Sequence, residues 1–87
     1  MQISRLHEQI RVRADFAPGG TVKPRLFKRE KLETFRITRV NSTWEDKEQE
    51  HRLLYFSVCT DRSDDVFQLC FRERDRTWWL ECVMMDG

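Results

Sequence analysis

Three runs in the C-terminal half alternate apolar and polar residues, over positions 53–59, 66–72 and 78–84. Strict alternation predicts half-buried β-strands, because successive side chains of a strand point to opposite faces. A turn over residues 60–65 sets one antiparallel register that brings apolar residues together in three pairs. These pairs are Leu54 with Phe71, Phe56 with Leu69, and Val58 with Phe67. A one-residue slip would move every pair to the other face, so the register is strongly specified.

A second hairpin, with its turn over residues 73–76, extends the same sheet. Its preferred register places Phe71 opposite Trp78, Leu69 opposite Leu80, and Phe67 opposite Cys82. One face of the three-stranded sheet is then apolar throughout and predicts the core. Its members are Leu54, Phe56, Val58, Phe67, Leu69, Phe71, Trp78, Leu80, Cys82 and Met84.

The N-terminal half contains weaker strand patterns. Residues 10–16 alternate, residues 25–28 follow Pro24, and residues 34–40 place Phe35 and Ile37 on one side. The charged residues 29–31 predict a turn between the second and third strands. At Arg39 and Val40 the alternation changes phase, which predicts a β-bulge.

Residues 43–51 carry a helix signal instead. Ser42 and Glu45 have the spacing of a capping box, and few apolar residues follow. This predicts at most one or two helical turns, or an acidic loop. Residues 1–87 are therefore predicted to form one small all-β domain, an antiparallel meander of about six strands curled into a small barrel or a strongly twisted sheet. Residues 1–8 are a candidate flexible N-terminal segment.

Charge is unevenly distributed along the 87 residues. Residues 1–40 carry ten Lys or Arg against four Asp or Glu, and residues 41–87 carry six against eleven. No apolar run approaches the ~20 residues that span a bilayer, and the N-terminus lacks a secretory signal, so no membrane association and a cytoplasmic location are expected.

The three cysteines Cys59, Cys70 and Cys82 lie in three different predicted strands, which favours reduced packing residues. A zinc site that adds His7 or His51 is a weaker alternative, because structural zinc ligands come in closely spaced pairs. No cofactor and no metal are expected.

The second face of the C-terminal sheet is unusually apolar. The predicted registers align Tyr55, Cys70 and Trp79 in a row across three strands, with Leu53 beside them. The favoured interpretation is that the N-terminal strands cover this face. The alternative is a contact surface for a protein partner or a second copy of the chain, with Tyr55 and Trp79 as anchors.

A cationic segment occupies the predicted hairpin over residues 23–39. Single-stranded nucleic acid binding requires cations that contact phosphates and, next to them, aromatic rings that stack on bases. This function is therefore kept as an alternative. The candidate contacts are Lys23, Arg25, Lys28, Arg36 and Arg39.

Motifs for catalysis are absent from the sequence. It has no Gly-rich phosphate loop, no Gly-x-Ser-x-Gly and no His-Glu-x-x-His. Neither histidine has an evident nucleophile to activate. The chain is therefore expected to be a non-enzymatic binding module with no small-molecule substrate.

Five short motifs carry a resemblance. They are His7-Glu8-x-Ile10-x-Val12, Pro24-x-x-Phe27, Phe35-x-Ile37-x-x-Val40-x-x-x-Trp44, Tyr55-Phe56-x-Val58 and Trp78-Trp79-Leu80-x-x-Val83. Together they resemble a bacterial family of small all-β domains of unknown function, found alone or appended to Y-family, translesion-type DNA polymerase proteins. The family has a Trp and then a Gly in the first hairpin, where this chain has Arg29 and Lys31.

What this resemblance implies is an all-β fold, no catalytic residue and a link to DNA repair. The expected function is a protein-interaction accessory domain, with single-stranded nucleic acid binding as the alternative.

Overall fold

The computed structural model describes residues 2–29 and 33–85, which form six antiparallel strands and contain no helix. The strands are β1 (Gln2–Phe16), β2 (Val22–Lys28), β3 (Thr34–Glu48), β4 (His51–Thr60), β5 (Val66–Arg72) and β6 (Thr77–Met85). Each strand pairs with its neighbour in sequence, and β1 also pairs with β6, so the sheet closes into a barrel. The predicted all-β meander of six strands is confirmed.

Strand β1 closes the barrel by pairing with two partners in succession. Residues 2–10 pair with β6, and residues 11–16 pair with β2. The prediction of a flexible N-terminal segment is thus wrong for residues 2–8. These residues form the first part of β1 and lie alongside β6. Of the predicted turn over residues 29–31, Glu30 and Lys31 lie outside the described residues.

The predicted register of β4 against β5 is confirmed at all three apolar pairs. Between β5 and β6, Leu69 faces Leu80 and Phe71 faces Trp78, as predicted. The third predicted pair is wrong, because a bulge next to Leu69 shifts the register and Phe67 faces Val83. An extra residue in one strand moves each side chain beyond it to the opposite face of the sheet.

That bulge also changes which residues fill the core. Val83 and Met85 pack against the interior. Cys82 and Met84, predicted to be interior, belong to the opposite side, and the Cys82 thiol lies 3.4 Å from the Gln68 amide oxygen.

Strand β3 is twice as long as predicted, because it continues through Glu48. The predicted helical turns or acidic loop over residues 43–51 are wrong, since residues 42–48 pair with β4 in a long hairpin. The capping-box spacing is a local signal, and cross-strand pairs such as Trp44 with Tyr55 outweigh it. The predicted bulge is confirmed by register shifts on both sides of Arg39 and Val40.

Apolar side chains from all six strands meet inside the barrel. At one end Phe27 and Phe35 stack with ring centroids 4.9 Å apart, and Phe67 packs edge-on against both at 5.4 Å. Stacked and edge-on aromatic contacts contribute about 0.5–1.5 kcal/mol each beyond area burial. The N-terminal strands therefore supply two of the six aromatic side chains in the buried core, and the C-terminal sheet supplies the other four.

Candidate functional site

The predicted row of Tyr55, Cys70 and Trp79 is present, and it extends beyond three strands. Pairing aligns Trp44 of β3 with Tyr55, Tyr55 with Cys70, and Cys70 with Trp79 of β6. The His7 ring of β1 stacks on Trp79. We name these five residues the aromatic row. Strands β1 to β3 complete the ring around the opposite, core-facing side. They cover the outer row only in part, because His7 of β1 and Trp44 of β3 stack on its two ends and Cys70 at its centre is 2% exposed.

Two parallel stacks form the ends of the aromatic row. Trp44 and Tyr55 stack with centroids 5.4 Å apart and planes 8° from parallel. His7 and Trp79 stack at 4.3 Å and 10°. Trp44 is 41% exposed, one of the three most exposed large hydrophobic residues among those described. Stacking fixes the rings before any ligand arrives, so binding would cost little side-chain entropy.

The Trp79 ring is also held from its indole nitrogen. Its Nε1 donates to Thr77 Oγ1 at 2.9 Å, and the Thr77 hydroxyl donates to Asp75 Oδ1 at 2.6 Å. The guanidinium carbon of Arg72 lies 5.8 Å from the ring centroid. These contacts hold the Trp79 ring in place on the surface, where it is half-buried.

The two residues at the centre of the aromatic row, Tyr55 and Cys70, have raised pKa values. Burial raises the pKa of Tyr55 to about 12, with the neighbouring Cys70 thiol and the Glu81 carboxylate adding to the shift. Burial, with the Glu81 carboxylate adding to the shift, raises the pKa of Cys70 to about 11. Both groups are therefore neutral at pH 7, and neither is activated as a nucleophile. Leu53, the fourth predicted contact, is half-buried in the next row beside Arg72.

Carboxylates surround these rings. Asp46 and Glu81 are close enough to raise the pKa of Tyr55. Glu81 Oε2 lies 3.3 Å from His7 Nδ1, and Glu48 Oε1 lies 3.9 Å from Arg72 Nη2. Rings with electron-rich faces next to carboxylates attract cationic groups.

A cleft of about 390 Å³ lies between the β1–β2 turn and the core-facing side of the β3–β4 hairpin. Gly20, Thr21 and Val22 line one side, and Thr43, Glu45, Leu54 and Phe56 line the other together with Trp44 and Tyr55, whose side chains point to the opposite face of the hairpin. Gly20 has a φ of 88°, a left-handed conformation that other residues rarely adopt. The glycine lets the turn curl toward the β3–β4 hairpin, where a Cβ at this position would lie 3.6 Å from the Arg52 guanidinium.

The five predicted cationic contacts are all exposed, and four of them share one outer surface of β1, β2 and β3. Arg39 lies further along β3, opposite Cys59. Pairing with β2 adds two cations that sequence reasoning missed, since Arg11 faces Lys28 and Arg13 faces Leu26. The alternation of β1 already marked both as outward-facing, but not as neighbours of the hairpin. We name this surface the basic face, which comprises Arg11, Arg13, Lys23, Arg25, Lys28 and Arg36.

The aromatic side chains and the cations therefore lie on different faces of the barrel. The aromatic row is centred on β4, β5 and β6, and the basic face lies on β1, β2 and β3. The structure does not bring together the two components that the single-stranded nucleic acid alternative combines. That alternative stays a prediction.

The described part of the chain contains no cluster of three His, Cys, Asp or Glu side chains able to hold a metal ion. It also contains no helix long and apolar enough to cross a membrane. The three cysteines are free thiols.

Comparison of the chain with protein-family models, with curated proteins and with solved structures gives no match in any of the three.

Proposed function

We propose that this protein is a non-catalytic interaction module that binds another protein through the aromatic row. The observation that carries the proposal is the stack of Trp44 on Tyr55, in which Trp44 is 41% exposed. Trp and Tyr are enriched among the few residues that dominate the binding energy of protein interfaces. The neutral Tyr55 and Cys70 side chains support a binding role rather than a catalytic one.

The partner that fits this surface is a protein segment bearing Lys or Arg. Asp46, Glu48 and Glu81 place negative charge around the rings, and a cation over an aromatic face contributes about 0.5–2 kcal/mol. A symmetric dimer through the same surface would set these carboxylates against their own copies. Like charges brought face to face are unfavourable, so the geometry favours a different protein over a second copy.

The cellular setting is also part of the proposal. Three free cysteines support a reducing, cytoplasmic location. The motif resemblance supports a partner in DNA repair. No bound cofactor is needed for this function, because side chains of the barrel supply every contact.

Selection from a random peptide library displayed on phage, with the immobilised protein as bait, tests the proposal. We expect the enriched peptides to contain Lys or Arg flanked by apolar residues. Synthetic versions of these peptides should lose at least about tenfold in affinity, or 1.4 kcal/mol, against the Trp44→Ala and Trp79→Ala variants.

Ile3→Ala is the matched control, because Ile3 is 54% exposed and lies away from the aromatic row. Its affinity for the same peptides should stay within about twofold, a change well below that expected of a hot spot. Unchanged urea midpoints would show that the tryptophan variants are folded. Retention of peptide binding in both folded tryptophan variants, or concentration-dependent dimerisation lost in Trp79→Ala, would overturn the proposal.

A further inference from the structure

The basic face groups six cations on three neighbouring strands. Across the three strands, Arg11 is paired with Lys28, and Leu26 lies between Arg13 and Arg36. Residues two apart on one side of a strand are separated by about 6.6 Å, and adjacent strands by about 4.8 Å. The face is therefore a cluster of positive charges on neighbouring strands, interrupted by Leu26, by Asp15 opposite Lys23, and by a register shift between Arg13 and Ala14. All six of its cations are exposed.

Carboxylates neutralise little of this charge. Asp15 accepts from Arg25 Nε at 2.7 Å, and both side chains are more than half exposed. Asp61 binds the Arg36 backbone N–H at 3.1 Å. Within residues 2–29 and 33–85, no carboxylate forms an ion pair with the other five cations.

Other arginines of the barrel behave differently. Arg29 forms a two-bond pair with Glu8, at 2.8 and 3.0 Å. Arg52 donates to both Glu45 and Glu73, and Arg72 lies near Glu48 and Asp75. Exposed cations left together without partners raise the local potential and attract polyanions.

We propose that the basic face binds the phosphate backbone of double-stranded nucleic acid. Four of its six cations are arginines, whose planar guanidinium groups can donate two parallel hydrogen bonds to one phosphate. The face presents no aromatic anchor of the kind protein partners use, and Leu26 is half-buried at its centre. Membrane surfaces are bound by helices with a large apolar face, which this surface lacks.

The position of the aromatic side chains indicates whether the basic face binds a duplex or a single strand. Single-strand binding sites stack bases on aromatic side chains next to the cations. Here Trp44, Tyr55 and Trp79 lie on the other side of the ring. A duplex keeps its bases stacked internally and offers only phosphates to such a face. The contact is therefore independent of base sequence.

Fluorescence anisotropy with a labelled mixed-sequence DNA duplex of about 24 base pairs tests this inference. If four phosphates are neutralised, the affinity should fall about 100-fold between 50 and 200 mM salt. Arg13→Ala and Arg36→Ala should each weaken binding at every sequence, and each should lower the salt slope by about one. The unlabelled single strand should compete less well than the duplex.

Arg74→Ala is the matched control, because Arg74 is equally exposed but lies in the β5–β6 turn. Equal losses in Arg74→Ala and Arg13→Ala would overturn the inference, because binding would then follow net charge rather than the basic face. Preference for the single strand with loss in Trp79→Ala would also overturn it, as would tighter binding to phosphatidylserine vesicles. The Trp44→Ala variant should bind the duplex normally, so this test is separate from that of the proposed function.

Discussion

Leu53 and Leu69 differ sharply in burial, because the barrel has an inner and an outer side. Leu69 and Leu80 are fully buried and face each other across two strands. Leu53 lies on the outer side and is half-buried. A leucine in this chain therefore contributes to stability according to the face it occupies.

Leu69→Ala should lower the free energy of unfolding by about 2–5 kcal/mol, because the truncated side chain leaves a cavity in a closed interior. Leu53→Ala should cost less than about 1.5 kcal/mol, since part of its surface already contacts water. Urea denaturation of both variants measures the difference. Equal losses would show that the two positions do not differ in burial.

Tyr55 is the only tyrosine of the chain, so its ionisation can be observed directly. Because burial raises its pKa to about 12, the absorbance change at 295 nm should occur near pH 12 in the folded protein. In guanidinium it should occur near the ordinary value of about 10. A common midpoint in both solvents would contradict the burial of the hydroxyl.

The same shift makes stability depend on pH. The folded state favours the neutral phenol, so its contribution is fully present below about pH 10 and is lost as the pH rises toward 12. Unfolding midpoints in urea should fall over that window in the wild type, and Tyr55→Phe should reduce the fall.

Strand β1 is the element that turns a sheet into a barrel. Its first part pairs with β6 and its second part pairs with β2, while Glu8 near the crossover forms a part-buried pair with Arg29. The Arg29 guanidinium holds the pKa of Glu8 below its usual value. The ion pair joins the crossover point of β1 to the end of β2.

Deletion of residues 2–6 should open this edge of the ring. The amides of β6 that are paired with them, at Cys82 and beyond, should exchange with solvent at least about tenfold faster, since their protecting partners are gone. Amides of the β4–β5 pair should keep their protection. Hydrogen exchange measured by NMR gives both values, and unchanged exchange throughout residues 82–85 would contradict closure by β1.

The β3–β4 hairpin turns tightly at Gln49, whose φ of 58° lies in the left-handed region. That conformation costs a residue with a Cβ roughly 1–2 kcal/mol, and glycine adopts it without this cost. Gln49→Gly should therefore raise the free energy of unfolding by about 0.5–1 kcal/mol. Glu50→Gly is the control and should lower stability, and a thermal melt of each variant compares them.

The whole molecule presents two chemically different faces on one small ring. Aromatic side chains with carboxylates mark one face, and the other carries six exposed cations, of which Arg25 forms an ion pair with Asp15. Binding at one face leaves the other accessible. A barrel about 24 Å across could therefore hold a basic protein segment and a nucleic acid duplex at the same time.

Independence of the two faces is itself testable. An Arg13→Ala, Arg36→Ala double variant should bind the selected peptides within about twofold of wild type, because sites without shared contacts act additively. Saturating duplex should likewise leave peptide affinity unchanged in wild type. A shift of about tenfold or more in either titration would indicate coupling between the faces.

Local alternation determined the strands of the C-terminal half, the register of β4 against β5, and the row of Tyr55, Cys70 and Trp79. Each follows from a two-residue period, which a sequence displays directly. Alternation also marked Arg11 and Arg13 as outward-facing. It could not reveal the bulge beside Leu69, because an extra residue leaves no compositional mark.

Closure of the ring was decided only in three dimensions. The strand over residues 2–8, the extension of β3 through Trp44, and the meeting of β1 with β6 depend on partners distant in sequence. Those pairings stabilise segments whose local patterns are weak or point to a helix. They also decided that rings and cations occupy separate faces, because each pairing fixes which side of a strand faces outward.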